Sequence, residues 1–254
     1  MFLRQPSPTG YEIKFRIFGI SVEVHPFFWI AGLIFVGQSA VTFSVGNKLV
    51  NLIAAMLIFF LSILIHELGH SIAMAFYGIH SRIVLYAFGG MAIPIGRLPG
   101  KFHNSMWDQI VISAAGPFAQ FCVLGLIILS GLLGGVDFGL SRSFPFLTFE
   151  YLGPPVIAGL SVWLALWVAI FVNFIWPLFN LLPILPLDGG RICQGLCQIY
   201  QGNHRGVVAS LWVSVVTGVF LVILLFQAQE IYMALFIGYL TYQSLQELQS
   251  GRGM

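Results

Sequence analysis

The sequence predicts an all-α polytopic membrane protein: six transmembrane helices with a small membrane-associated β-hairpin or re-entrant strand region. Three observations carry that expectation. Of 254 residues, 58% are hydrophobic and only 8% charged, against ~25% charged in a soluble domain. The apolar residues fall into runs of about 20, enough for a helix to cross a hydrocarbon core of ~30 Å. Between two of the runs lies a glycine-rich segment that alternates as a strand pair does. Few residues remain for a separate soluble domain, so residues 1–254 read as one domain in the lipid bilayer. A formal charge of +2 without a basic cluster gives no reason to expect a nucleic-acid partner.

Met1–Glu23 reads as a short amphipathic or hairpin segment, with Ile13, Phe15 and Ile17 alternating with Lys14 and Arg16 and a turn at Gly19. Its charge and the full-length apolar run behind it argue against a cleavable signal. Span one is expected over Pro26–Val45, a short loop over Gly46–Val50, and span two over Leu49–Tyr77. Gly78–His103 is too polar for a span. There Ile83, Leu85 and Ala87 alternate with Val84 and Tyr86, and Phe88-Gly89-Gly90 supplies a turn, so a hairpin or re-entrant pair is expected. Span three covers Trp107–Leu133, and Gly134–Pro155 is a loop. Span four covers Val156–Leu182 with Pro177 inside it, and Pro183–His204 is a loop with a short helix after Asp188. Gly206–Phe226 and Ile231–Leu245 are the last two spans, the final one short. Cys122, Cys193 and Cys197 form no disulfide framework and read as small buried side chains.

Charge orients these spans. Arg4, Lys14 and Arg16 precede span one; Arg82, Arg97 and Lys101 lie between two and three; Arg191 and Arg205 lie between four and five; Arg252 follows six. The opposite side carries Lys48 and Arg142. The positive-inside rule then places both termini in the cytoplasm.

The chemistry is concentrated in span two, where His66-Glu67-Leu68-Gly69-His70 forms an H-E-x-x-H pattern. On a helix, residues i and i+4 share a face, so the two imidazoles can hold one metal ion while the glutamate stands beside its bound water. A chance match, or two histidines bonded to a neighbouring helix, is the plainer reading. It is disfavoured because two imidazoles and a carboxylate in lipid need a partner, and a metal ion satisfies all three. A catalytic zinc site takes a third protein ligand and keeps one position for water. By the orientation above, Asp137, Glu150 and Glu230 belong to the far side, leaving Asp108, His80, His103, His204, Glu247 and Asp188. Asp188 is preferred. It follows Pro183 and Pro186, which stiffen its approach, and precedes Gly189-Gly190, which relax the backbone. Asp108 is second, with a first-turn helix acid as its ordinary role.

These residues resemble the site-2 protease family of intramembrane zinc metalloproteases. The resemblance rests on HELGH at 66–70, Phe88-Gly89-Gly90, Ala115-Gly116-Pro117, and Asn180 followed by Pro183, Pro186 and Leu187-Asp188-Gly189. With Glu23-Val24-His25-Pro26 opening span one, the layout is similar to the subgroup of sporulation pro-sigma-factor processing proteases, and neither the CBS nor the PDZ domain of many relatives is expected here. The resemblance implies one zinc ion on His66, His70 and Asp188, with Glu67 activating water for attack on a peptide bond. It implies a single-span membrane protein as substrate, and control by a partner membrane protein or by prior trimming of the substrate. The strand at Tyr86–Ile95 is either a plain structural hairpin or an edge for an extended substrate; on the second reading Gly89 and Gly90 contact substrate, with Asn180 and Gln120 as further contacts. At position 120 the family usually has asparagine.

Two other functions fit a membrane metal site. A zinc transporter would step polar residues through both halves of the bilayer, whereas the ionisable residues here cluster on one side. An inactive scaffold would lack some of His66, Glu67, His70 and Asp188, and all four are present.

Overall fold

The computed structural model describes residues 9–37, 39, 45–87, 89–97, 105–140, 147–151 and 156–250. Arg4, Phe88, Lys101, His103, Arg142 and Arg252 lie outside them, as does most of 38–44 at the end of the expected first span. The chain forms two compact units. One comprises Ser7–Arg97 and Phe118–Pro177; the other comprises Met1–Pro6, Leu98–Pro117 and Leu178–Met254.

The first unit holds a four-stranded sheet. Strands β1 (Ile13–Ile17) and β2 (Ile20–Val24) pair antiparallel around Phe18-Gly19. Both turn residues have positive φ, 50° and 81°, the conformation that matches the right-handed twist of a two-residue hairpin. Strands β3 (Ile79–Tyr86) and β4 (Gly89–Arg97) form the second expected hairpin. The two hairpins are joined into one sheet because β2 and β3 pair in parallel, Ser21 with Arg82 through Val24 with Leu85, leaving β4 as an edge strand. Val22, Val24, Ile83 and Leu85 pack into the core of this unit with Phe28, Phe59, Ile63 and Leu64. Val84 and Tyr86 are buried as well, so the alternation expected along β3 does not separate a wet face from a dry one.

Helix α1 (Pro26–Gly32) starts at His25, whose Nδ1 accepts the amide of Phe27 at 3.3 Å, and continues as a π-helical turn over Leu33–Gly37. Helix α2 (Lys48–Phe76) is capped by Asn47, whose Oδ1 accepts the amides of Leu49 (2.9 Å) and Val50 (3.3 Å). Asn51 in its first turn accepts the amide of Ser161 at 2.9 Å. Ser161 closes a hairpin of β7 (Val156–Ile157) and β8 (Leu160–Ser161), which turns at Ala158-Gly159 with φ of 49° and 84°. The expected fourth span therefore starts late: helix α4 is Val162–Asn180. Its predecessor α3 is Met106–Leu133. Part of the expected loop between them is a strand pair, β5 (Val136–Leu140) with β6 (Leu147–Tyr151).

In the second unit, α5 (Asp188–Gln201), α6 (Asn203–Gln227) and α7 (Ile231–Gln249) follow in succession. Its core gathers Ile184, Ile237 and Leu240 with Phe179, Leu221, Leu225 and Phe236. Gly218 lets α6 approach Thr241 of α7, where a Cβ would overlap the threonine hydroxyl.

The protein is a multi-pass membrane protein. Among the described residues, α2, α3, α4 and α6 are long and apolar enough to cross a membrane. The expected count of six is not reached on those terms. Pro26–Gly37 is a shorter apolar helix, and α7, 19 residues long, carries Gln243, Gln246, Glu247 and Gln249 in its last two turns. The expected all-α class is modified by one four-stranded sheet and two strand pairs.

Candidate metal centre

Helix α2 presents His66, Glu67 and His70 from its C-terminal half, all three buried. The i, i+4 spacing stacks the imidazoles on one stripe. Their centroids lie 4.8 Å apart with the rings nearly perpendicular, and their Nε2 atoms are 3.1 Å apart. Two nitrogens bound to one tetrahedral zinc at ~2.0–2.1 Å would stand about 3.3 Å from each other. The pair thus has the separation of two ligands on a single ion.

His66 is also held from its other side. Its Nδ1 lies 2.9 Å from Oε1 of Gln120, which has no exposed surface, and Nε2 of Gln120 donates to the carbonyl of Ser62 at 3.3 Å. The hydroxyl of Ser62 accepts Nδ2 of Asn173 at 2.8 Å, and the same Nδ2 lies 2.9 Å from the carbonyl of Ala169. Asn173 is therefore an interhelical bonding residue, tying α4 to α2.

Glu67 lies beneath the start of β4. A Cβ on Gly90 would overlap the Glu67 side chain, with Cδ and Oε1 at 2.6 Å, so the strand backbone rests directly on the carboxylate. Gly89, with φ of +104°, covers the indole of Trp176 in the same way. Both glycines belong to β4, and Gly89 pairs with Tyr86 and Gly90 with Leu85.

Asp188 opens α5 behind Pro183 and Pro186. The glycines after it act differently from the expectation of backbone freedom. A Cβ on Gly189 would overlap the carbonyl of Leu181, and one on Gly190 would lie 2.5 Å from the backbone of Ile184 and Leu185. Neither has a positive φ, so it is space that requires glycine. The loop is tied to α6 by Ser214, whose hydroxyl accepts the amide of Leu185 at 3.1 Å, and Arg191 donates from Nε to the carbonyl of Pro186 at 3.4 Å.

The ligand atoms of His66, His70 and Asp188 all lie within 4.8 Å of one another, the first two buried and the third half-buried, a set able to hold a metal ion. Two neutral imidazoles and a carboxylate suit zinc, and three protein donors leave a position for water. Asp108 is outside this set and takes the amide of Ser105 at 3.2 Å as a first-turn acid. His80 and His204 are exposed, as expected of surface histidines. Asn180 ends α4 and is not among the three. The sequence gives no sign of the bond between Gln120 and His66 or of Trp176 under Gly89. A single amide in an apolar run and a tryptophan in a membrane helix have ordinary roles in lipid.

The chain is 28% identical over 189 residues to a zinc metalloprotease of Methanocaldococcus jannaschii, covering 74% of this chain and 46% of that protein. It is 26% identical over 174 residues to stage IV sporulation protein FB of Bacillus subtilis, covering 68% and 46%. It spans less than half the length of these curated relatives. The structure of a site-2 protease from Methanocaldococcus jannaschii shares the fold, with a TM-score of 0.55 over 94% of this chain and 95% of that one at 21% identity. The sequence pattern of peptidase family M50 matches residues 54–225, from the second turn of α2 to the end of α6. By that match the chain belongs to peptidase family M50, the site-2 protease family of zinc metalloproteases.

Proposed function

We propose that this chain is an intramembrane zinc metalloendopeptidase that hydrolyses a peptide bond within or near the transmembrane segment of a membrane-anchored, single-span substrate. The observation that carries the reading is the set His66, His70 and Asp188, with Glu67 next to the first ligand on the same helix. These three residues would hold one zinc ion. When bound, the ion supplies Lewis acidity to the scissile carbonyl and brings the pKa of water towards ~7. Glu67 takes the proton of the attacking water and returns it to the leaving amide nitrogen. Its burial under Gly90 keeps the carboxylate in one place, as general-base geometry requires.

A substrate helix hides its carbonyls in i to i−4 hydrogen bonds, so it must unwind before it can be cut. The edge strand β4 suits an unwound segment, which gains the backbone hydrogen bonds of an added strand. Gly89, Gly90 and Asn180 are the substrate contacts of this reading. The span count is six, with the apolar residues from Pro26 onward and α7 added to the four long helices. Positive charge at Lys14, Arg16, Arg82, Arg97 and Arg191 supports a cytoplasmic orientation of both termini and the metal site. A regulatory membrane protein, or prior trimming of the substrate, controls access.

The test is cleavage of a co-expressed single-span substrate. Glu67→Gln is expected to abolish the fragment while the purified protein keeps stoichiometric zinc, and His66→Ala to lose both. Unchanged cleavage by Glu67→Gln removes Glu67 from the mechanism. Absence of stoichiometric metal in the unsubstituted protein defeats the reading as a whole.

A further inference from the structure

We propose that Gln120 is a positioning residue for His66: its carboxamide fixes the imidazole as the Nδ1–H tautomer and so presents an unprotonated Nε2 to a metal ion. A backbone carbonyl only accepts, so the end of the Gln120 amide that lies 3.3 Å from the Ser62 carbonyl is the NH2. The oxygen then faces Nδ1 of His66 at 2.9 Å. A carboxamide oxygen also only accepts, so Nδ1 carries the proton. In a neutral imidazole the other nitrogen is then unprotonated. That nitrogen, Nε2, is the atom 3.1 Å from Nε2 of His70.

Burial strengthens the assignment. Gln120 has no exposed surface and His66 has 2%, so neither bond is exchanged with water, and breaking either would leave a buried polar group unsatisfied. Ser62 and His66 lie one helical turn apart on α2. The amide of Gln120 is thus anchored to the same helix whose histidine it orients. Partners of this kind, which hold the far nitrogen of a metal-binding histidine, typically set metal affinity by 10–100-fold. A side chain one methylene shorter would fall short of both atoms, which gives a reason for glutamine here. With both ends of its amide engaged, Gln120 has little left to offer a substrate.

The inference rests on the metal site of the proposed protease, and the experiment separates the two. The full chain in detergent is compared with Gln120→Leu, Gln120→Asn and Gln120→Glu. Measurements are the zinc dissociation constant by chelator competition, the visible spectrum of the cobalt-substituted protein, and KM for a single-span substrate. Gln120→Leu is expected to weaken zinc binding by roughly 10–100-fold and to alter the cobalt spectrum, and Gln120→Asn to follow it. Gln120→Glu keeps an acceptor for Nδ1 but loses the NH2 donated to the Ser62 carbonyl, so its zinc constant should fall between those of the parent and Gln120→Leu. A merely structural role would not make Glu a partial rescue. An unchanged zinc constant in Gln120→Leu overturns the proposal, and a raised KM alone would return Gln120 to substrate contact. Should Gln120→Leu fail to fold, equal zinc affinity in the Asn and Glu variants overturns it as well. If the parent itself takes up no zinc, the protease reading fails first. A zinc-replete parent with an indifferent Gln120→Leu defeats only the role of Gln120.

Discussion

Two glycine pairs flank the chemistry, and they answer to different constraints. Gly89-Gly90 begins the edge strand β4, and what it makes room for is side chains: the indole of Trp176 and the carboxylate arm of Glu67. Gly189-Gly190 follows Asp188, and what it makes room for is backbone: the carbonyl of Leu181 and the peptide between Ile184 and Leu185. A side chain can rotate away from an added methyl group, whereas a backbone held by its own hydrogen bonds cannot. Substitution at the first pair should therefore disturb function before stability, and substitution at the second should disturb stability first. As sequence the two dipeptides are identical; the difference lies in what each packs against.

The largest effect is expected at the second pair. Gly189→Ala drives a methyl group into the Leu181 carbonyl, and overpacking of this kind costs ~1–3 kcal/mol, more where the neighbour is rigid. Thermal unfolding in detergent should show a clear loss of stability, with zinc uptake falling in parallel because Asp188 is the preceding residue. A stable Gly189→Ala protein with normal zinc content would break the comparison at once. Gly90→Ala comes next. The added methyl group displaces the Glu67 carboxylate, and a misplacement of ~1 Å can cost about 100-fold in rate. Cleavage should drop by that order while melting temperature and zinc content stay near those of the parent. Equal destabilisation by the two alanine variants would erase the distinction.

Gly89→Ala sharpens the boundary between the two classes. It meets a side chain, as Gly90 does, but its φ of +104° is one that alanine rarely adopts, a strain of order 1–3 kcal/mol. Trp176 is moreover held edge-on by Phe35 (5.6 Å) and Phe59 (6.1 Å), so its ring yields less readily than the Glu67 arm. This variant should lose some stability and some activity, each less than the extreme case on its own side. Zinc content is expected to be intact.

What the sequence made legible follows from the range of each signal. Apolar runs over 49–77 and 107–133 predict α2 and α3, which are found at 48–76 and 106–133, because a long apolar run has few other solutions in lipid. The i, i+4 pair of His66 and His70 is equally local. The acid at 188 is distant, yet prolines before it and glycines after it marked its loop. Other features left no local trace. The parallel pairing of β2 with β3 joins segments separated by the whole of α2, and no turn residue announces such a partner. The hairpin at Val156–Ser161 was hidden because its apolar strands prolong the hydropathy of α4. At Gln120, the residue type departs from the family pattern. The sequence held nothing to say that the amide turns inward to His66.

The smallest effect uses a thiol as a reporter on the second glycine pair. Cys193 lies on α5, five residues after Asp188, and its thiol is pushed up to about 11, first by burial and then by the neighbouring Cys197. The thiolate is the reactive form, so a raised pKa makes Cys193 slow to alkylate at pH 8. The rate should climb about tenfold per pH unit until it levels near pH 11, the slope being that of the thiolate fraction. Gly189→Ala loosens the packing that buries α5, and this should lower the thiol pKa towards the ordinary ~8.5. Labelling at pH 8 then rises severalfold, read as mass added to the peptide carrying residue 193. Gly90→Ala, which acts on a side chain of the other unit, should leave that rate unchanged. If both variants speed alkylation alike, the two pairs are coupled through the fold, and the division between a glycine that clears a carboxylate and one that clears a backbone would have to be given up.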